Sequence, residues 1–395
     1  MFSLNRSLAK SALRIHALPV RLFGSSATFF AKELQIEKTA SPKPHPEYES
    51  LVFGRTFSDH MLEVDWTAAG GWGAPRIVPY HNLSISPASS SLHYALQCFE
   101  GLKAYVDDQN QIRLFRPEKN MERMISSCAR LSLPTFDGKE LLESLKKLLV
   151  LEKSWIPKAR GYSLYIRPTC ISTDTTLGVG SPQAAKLFII LSPVGPYYKE
   201  GFNPVRLFAD DKNVRACVGG TGGYKIGGNY GGTIMPQKQA ASKGFAQVLW
   251  LYGDRQYVSE VGTMNFFVLW KNEKGERELV TAPLDDGTIL PGVVRDSILA
   301  LARKEHADEM KVSERLFTIA DLTKAIDEGR VEECFGAGTA AIVSPVKGIH
   351  FAGKDYIVPI DEKLNAGKFT SLLANKIMDI QYGRKPSPWS VVVQE

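Results

Sequence analysis

The stretch GGTGGYKIGGNYGG (219–232) sets one lysine, Lys225, among eight glycines in fourteen positions. Glycine loses more backbone freedom on folding than any other residue, so such density marks a place where backbone must pass close to a ligand or another segment. Three chemistries compete for it. A phosphate-binding P-loop requires Gly-x4-Gly-Lys-[Ser/Thr], but Lys225 follows Tyr224 and precedes Ile226, so that motif fails. A dinucleotide fingerprint fails as well: after Gly220-x-Gly222 the third glycine position is Lys225 itself, and Pro236 interrupts the helical segment that follows. The third chemistry is a lysine nucleophile that forms a Schiff base, with glycines letting a planar cofactor lie against backbone. A purely structural loop remains the competing reading of these residues.

Other segments add parts to the third reading. In SEVGTMNFFVLW (259–270) a single acid, Glu260, precedes a run of buried-type residues. Such an acid is either a solvated strand end or a carboxylate that keeps a pyridine nitrogen protonated, which makes the ring an electron sink. In ILPGVVRDSILALARK (289–304), Pro291 and Gly292 open a helix. The free N–H groups of Val293 and Val294 would then offer an anion site. GAGTAAIV (336–343) is a second small-residue turn, with the Thr339 hydroxyl and several N–H groups. A lysine, a carboxylate, a phosphate cradle and a second anion turn together form the parts list of a pyridoxal phosphate site.

These parts need elements to position them. The spacing of Met121, Met124, Ile125, Cys128 and Leu131 predicts a helix over 118–131, and 137–153 is a strong amphipathic helix. Further helices are expected over 293–304, 318–329 and toward the C-terminus. Strands are expected at 245–252, 257–270 and 278–282, and in GYSLYIRPTCIS and AKLFIILSPVG. The pattern is α+β, in two similar-sized halves with mainly antiparallel sheets. Residues 50–195 form a small N-terminal domain, 196–211 an interdomain loop, and 212–395 a large domain. Pro236 requires the helix after Tyr230 either to start late or to kink, because proline in a helix interior costs ~3 kcal/mol.

At 395 residues the chain is long for one core. Its formal net charge of +6 does not indicate nucleic acid. Residues 1–32 contain Arg6, Lys10, Arg14, Arg21 and Lys32 with no acid, and the remainder is close to neutral. That Ser-, Ala- and Arg-rich leader has the composition of an organellar transit peptide, which implies the mitochondrial matrix. Residues 33–49 are read as an N-terminal arm. The apolar runs are too short to span a bilayer. The five cysteines show no CxxC spacing, so neither a metal site nor a disulfide framework is implied.

GGTGGYKIGGNYGG, VLWLYG, SEVGTMNFFV, LPGVVRDSILALA and FGAGTAAIVSPV together resemble the branched-chain amino acid aminotransferases, which are fold-type IV pyridoxal phosphate enzymes. LVFGRTFSDHM, LHYALQCFEGLKAY, RLFRPEKNMERM, SLYIRPT and LSPVGPYY match in the first half. The resemblance runs from about residue 50 to 383. It implies two α/β domains with pyridoxal 5'-phosphate in the cleft between them, bound covalently to Lys225. Tyr230 would meet the ring hydroxyl and Glu260 the ring nitrogen. Arg123, Val293, Val294 and Thr339 would bind phosphate, with Arg215, Thr263, Leu290 and Gly292 also near the cofactor. Tyr94, Phe99, Tyr165 and Tyr197 would surround an aliphatic substrate side chain. Arg167 would provide the polar handle for glutamate, and the Thr339–Ala340 turn would take the α-carboxylate.

The implied reaction is reversible amino transfer between leucine, isoleucine or valine and 2-oxoglutarate. Leu177 and Val179 match a loop that reaches a partner's active site, implying a homodimer. A D-amino acid aminotransferase or an aminodeoxychorismate lyase would share the fold and the lysine. A cofactor-free interaction protein would not need Lys225, Glu260 and Arg123 together. Some members of the family have a CxxC pair after the glycine turn, where this chain has Ala341 and Ser344.

Overall fold

The computed structural model describes residues 28–196 and 202–394. Two sheets dominate it. The first has ten strands, in the order Gln35–Ile36, Arg76–Pro79, His60–Thr67, Ala184–Val194, Ser163–Ser172, Leu102–Val106, Ile112–Phe115 and Ser390–Val393. Gly71–Trp72 joins it beside His60–Thr67, and Gln97–Phe99 beside Ser163–Ser172. The second has nine, in the order Tyr257–Val261, Gln247–Tyr252, Val205–Asp210, Ile342–Phe351, Val331–Gly338, Met264–Lys271, Arg277–Thr281 and Lys311–Glu314, with Lys354–Ile357 at the side. Tyr257–Val261 also pairs with Met264–Lys271, which closes a ring of strands. Most pairings are antiparallel, but Val205–Asp210 runs parallel to both of its neighbours.

Helices cover the sheets where apolar periodicity requires it. Pro117–Arg130 and Gly138–Leu151 lie on the first sheet and bury Met121, Met124, Cys128, Leu141, Leu145 and Leu148 against Leu62, Leu164 and Leu187. Each such side chain taken from water contributes about 1.5–3 kcal/mol. The first of these helices starts with Pro117, where the missing N–H costs nothing. The second is capped by Asp137, which accepts from the Lys139 amide at 2.8 Å. On the second sheet, Val293–Glu305 and Lys368–Gln381 share one apolar cluster. Ile319–Asp327, opened by a Thr318–Asp321 capping box, packs into another.

Several expectations need correction. The 257–270 strand is two strands, because Gly262 adopts φ +54° and turns the chain into a tight hairpin that pairs Glu260 with Asn265. The 196–211 loop contains a full strand of the second sheet, Val205–Asp210, whose Leu207 and Ala209 are core residues. The large half does not keep all of 212–395, since Ser390–Val393 returns to pair with Ile112–Phe115 in the first sheet. The last residues of the segment expected as a leader, 28–32, pack on the first sheet. Phe29 is buried between Trp72 and Phe136, and Ala31 is tied by its amide to Glu140 and by its carbonyl to Lys147. Residues 1–27 of the expected leader lie outside the described residues. Pro236 falls in the first turn of the Ile234–Ser242 helix, so that helix starts late. Among the described residues, no helix is long and apolar enough to cross a membrane.

Candidate active site

Between the two sheets lies a cavity of about 500 Å³. Lys225 reaches it from a loop that is pinned on both sides. Its amide donates to Ser127 Oγ at 2.9 Å, and its carbonyl accepts from the Phe99 amide at 3.1 Å. The glycines around it serve close approach: a Cβ on Gly222 would stand 2.6 Å from the Thr288 carbonyl oxygen and 2.5 Å from the Ala216 Cβ. Lys225 Nζ donates to the Tyr230 hydroxyl at 3.1 Å and sits 4.8 Å from the Phe99 ring centre. Burial, aided by the Arg123 charge, pushes the Lys225 pKa down to about 8. Burial likewise pushes Tyr230 up to about 12, against the pull of Arg215. At neutral pH the pair is therefore a protonated phenol beside an amine that gives up its proton more readily than an ordinary lysine.

One end of the cavity is built for an anion. The Val293–Glu305 helix opens there on Gly292, and among the described residues no side chain caps it. Thr339 and Ala340, in the turn after Val331–Gly338, face the same end. Arg123 completes it. Its Nε and Nη2 bind the two oxygens of Glu100 at 2.7 and 2.8 Å, and its Nη1 donates to the Pro291 carbonyl at 2.9 Å. A guanidinium has five N–H groups, so two remain for a ligand. Burial alone would raise the Glu100 carboxyl; the Arg123 guanidinium and Asn120 outweigh it and hold it below the usual range.

The opposite wall is aromatic. Phe53, Phe99 and Tyr165 line it, and Arg167 stacks near Phe99 and Tyr165 at 4.8 and 5.2 Å. Arg167 Nη2 donates to the Tyr165 hydroxyl at 3.1 Å, while its Nε is buried with no partner among the described residues. Among the same residues no carboxylate pairs with it, so its charge is available to one.

Glu260 and Arg215 stand one layer behind the cavity wall. Glu260 accepts from the Leu290 amide and Asn265 Nδ2, both at 3.0 Å, and Arg215 Nε lies 2.7 Å from its other oxygen. Leu290 and Asn265 themselves line the cavity, as does Thr263 in the hairpin turn. Burial raises the Glu260 carboxyl, with Arg215 opposing. Arg215, expected near the cofactor, does not line the cavity itself: its guanidinium binds Glu260 and the Thr288 carbonyl just behind the wall. Tyr94 does not line this cavity but stands exposed, its hydroxyl donating to the Leu177 carbonyl at 2.6 Å, beside the exposed Leu177 and Val179. Tyr197 lies outside the described residues. Glu260, Leu177 and Val179 likewise do not line the cavity, whereas the remaining expected residues, Gly292 and Leu290 among them, do.

Phe53, Asn265 and Glu100 belong to the site and were not expected from sequence. Glu100 had a usable signal, since it is a lone acid in the apolar run CFEGL, as Glu260 is in its own run. Among the described residues, no group of His, Cys, Asp or Glu could hold a metal ion. The donor set fits a phosphorylated aromatic aldehyde: a lysine of lowered pKa, a phenol beside it, a buried carboxylate and an uncapped helix start with an arginine.

Residues 97–349 match the model of the class IV amino-transferase family, and the chain belongs to that family and, within it, to the branched-chain-amino-acid aminotransferases. It is 55% identical to the branched-chain-amino-acid aminotransferase of Dictyostelium discoideum over 95% of this chain and 98% of that one. It is 51% identical to the mitochondrial enzyme of Schizosaccharomyces pombe (91% of this chain, 85% of that one) and 52% identical to the cytosolic enzyme of Ovis aries (93% and 94%). A solved branched-chain amino acid aminotransferase from T.th., with pyridoxamine 5'-phosphate, superposes with TM-score 0.65 at 25% identity, covering 84% of this chain and 98% of that one.

Proposed function

We propose that this chain transfers an amino group reversibly between leucine, isoleucine or valine and 2-oxoglutarate, using pyridoxal 5'-phosphate held at Lys225. The observation that carries this reading is the cavity in which Lys225 Nζ meets the Tyr230 hydroxyl, with an anion cradle at one end and an aromatic wall at the other. Val293 and Val294 N–H, Thr339 and the two spare N–H groups of Arg123 would hold the phosphate. When bound, the cofactor supplies an electron-withdrawing ring that stabilises negative charge at the substrate Cα.

The chain's own residues do the rest. Lys225 Nζ removes the proton from the substrate Cα and returns it, a role suited to an amine with a pKa near 8. Tyr230 orients that amine. Glu260, held by Arg215, Asn265 and the Leu290 amide, would be the carboxylate that keeps the ring nitrogen of a bound cofactor protonated. The Thr339–Ala340 turn takes the α-carboxylate. Phe53, Phe99 and Tyr165 accept aliphatic side chains with little discrimination, because one methylene is worth only ~1–3 kcal/mol. Arg167 pairs with the distal carboxylate of glutamate.

We further read the exposed Tyr94–Leu177–Val179 patch as a surface that reaches a second copy, making a homodimer. The basic, acid-free leader is read as a mitochondrial import signal; relatives named mitochondrial and cytosolic both occur. The direct test incubates purified protein with leucine and 2-oxoglutarate. Glutamate and 4-methyl-2-oxopentanoate are expected in equal amounts. Release of pyruvate from aminodeoxychorismate, with leucine inert, would replace this reading by the lyase.

A further inference from the structure

Lys103 lies in the Leu102–Val106 strand, in register with Tyr165. Directly opposed residues of an antiparallel pair share a face, so Lys103 projects toward the second sheet beside Tyr165. It is buried, and its Nζ donates to the Ala340 carbonyl at 2.8 Å. Among the described residues it has no carboxylate partner. Burial pushes its pKa down to about 8, which still leaves it mostly charged at neutral pH. A small cavity of about 20 Å³ lies against it, bounded by Val293, Val294 and Thr339, which also face the main cavity. Gln381 borders the same space, and its Oε1 is buried with no partner among the described residues. Lys103 therefore stands directly behind the turn and the helix start that form the anion end.

We infer that Lys103 is a positioning residue that braces the Thr339–Ala340 turn from behind and supplies the buried counter-charge for the substrate carboxylate bound on its front. This rests on the reading of that turn as the carboxylate site. A buried ammonium without an anion is costly, and a carboxylate arriving across the turn relieves that cost. The hydrogen bond at the Ala340 carbonyl also polarises the Ala340–Ala341 peptide and strengthens its N–H as a donor. The other cations of the cavity have different duties: Arg123 is committed to Glu100, and Arg167 stands at the aromatic wall.

The test compares Lys103→Met and Lys103→Arg with wild-type holoenzyme. KM for leucine and for 2-oxoglutarate is expected to rise roughly 10- to 100-fold in Lys103→Met, the range for a lost charge-assisted bond, with a much smaller change in kcat. Lys103→Arg should recover most of the loss. Competitive inhibition by 4-methylvalerate should weaken in Lys103→Met, while inhibition by the neutral 4-methylvaleramide should not. Should Lys103→Met fail to retain cofactor, Lys103→Gln replaces it. An unchanged KM, or equal weakening of acid and amide, overturns the inference. Wild-type turnover in the same assay keeps this outcome distinct from a failure of the proposed reaction.

Discussion

At the residue scale, the site works by setting charges against burial. A lysine with an ordinary pKa would be neutral in well under 0.1% of molecules at pH 7, whereas one near 8 is neutral in about 10%. Capture of pyridoxal phosphate by the cofactor-free protein should therefore accelerate about tenfold per pH unit and level off just above pH 8. Stopped-flow absorbance reads this directly, and a rate still climbing at pH 10 would show that burial does not lower the lysine. Glu100 is the other residue on which the site turns. Removing one partner of a buried ion pair strands the other charge, at a cost of about 3–5 kcal/mol. Glu100→Gln should lower the thermal midpoint and weaken cofactor retention. Equilibrium unfolding and cofactor dissociation together measure it, and wild-type values in both would deny Glu100 a part in holding Arg123.

At the scale of elements, the loop bearing Lys225 is fixed by packing. The Cβ contacts at Gly222 are too short to be met without moving backbone. Gly222→Ala should cost roughly 1–3 kcal/mol and displace the lysine. Denaturant unfolding together with kcat would show both losses; stability lost at unchanged kcat would separate the loop's packing from its function. Which elements were legible follows the same physics. The Pro117–Arg130 and Val293–Glu305 helices were readable because one face is apolar at helical spacing and the starts bear proline or glycine signals. The hairpin at Gly262 was not, since buried apolar residues stand on both sides of it, Val258 and Val261 before and Met264 and Phe266 after, and only the backbone angle at one glycine divides them. Lys103 was invisible for a related reason. In GLKAY it alternates with Leu102 and Ala104, which reads as a solvent-facing position, yet that face is covered by the second sheet. Glu100 and Asn265 were missed because their partners, Arg123 and Glu260, are 23 and 5 residues away in the chain and meet them only in the fold.

At the scale of the whole molecule, the cavity exists because two sheets meet. The isolated bridge between Cys98 and Ile226 ties the first sheet to the lysine loop, and Lys103 ties it to the Thr339–Ala340 turn. The strand at Ser390–Val393 returns the C-terminus to the first sheet, so the two halves are joined by more than one crossing of the chain. Leu177 and Val179 are 64% and 80% exposed, and Tyr94 is bonded to their loop rather than to its own cavity. Changing both Leu177 and Val179 to Asp should shift the protein toward monomer in sedimentation and reduce kcat/KM for leucine, with little change in folding. A double variant that stays dimeric and fully active would remove this patch from the partner's site.

The central claim is that Lys225 Nζ is the group that holds the cofactor and moves the substrate proton. Borohydride reduction of the purified protein followed by peptide mass mapping tests it most directly. A phosphopyridoxyl mass increment on the peptide containing Lys225, lost together with all transamination in Lys225→Ala, is the predicted result. An increment on Lys103 or on any other lysine, or wild-type turnover in Lys225→Ala, would contradict it.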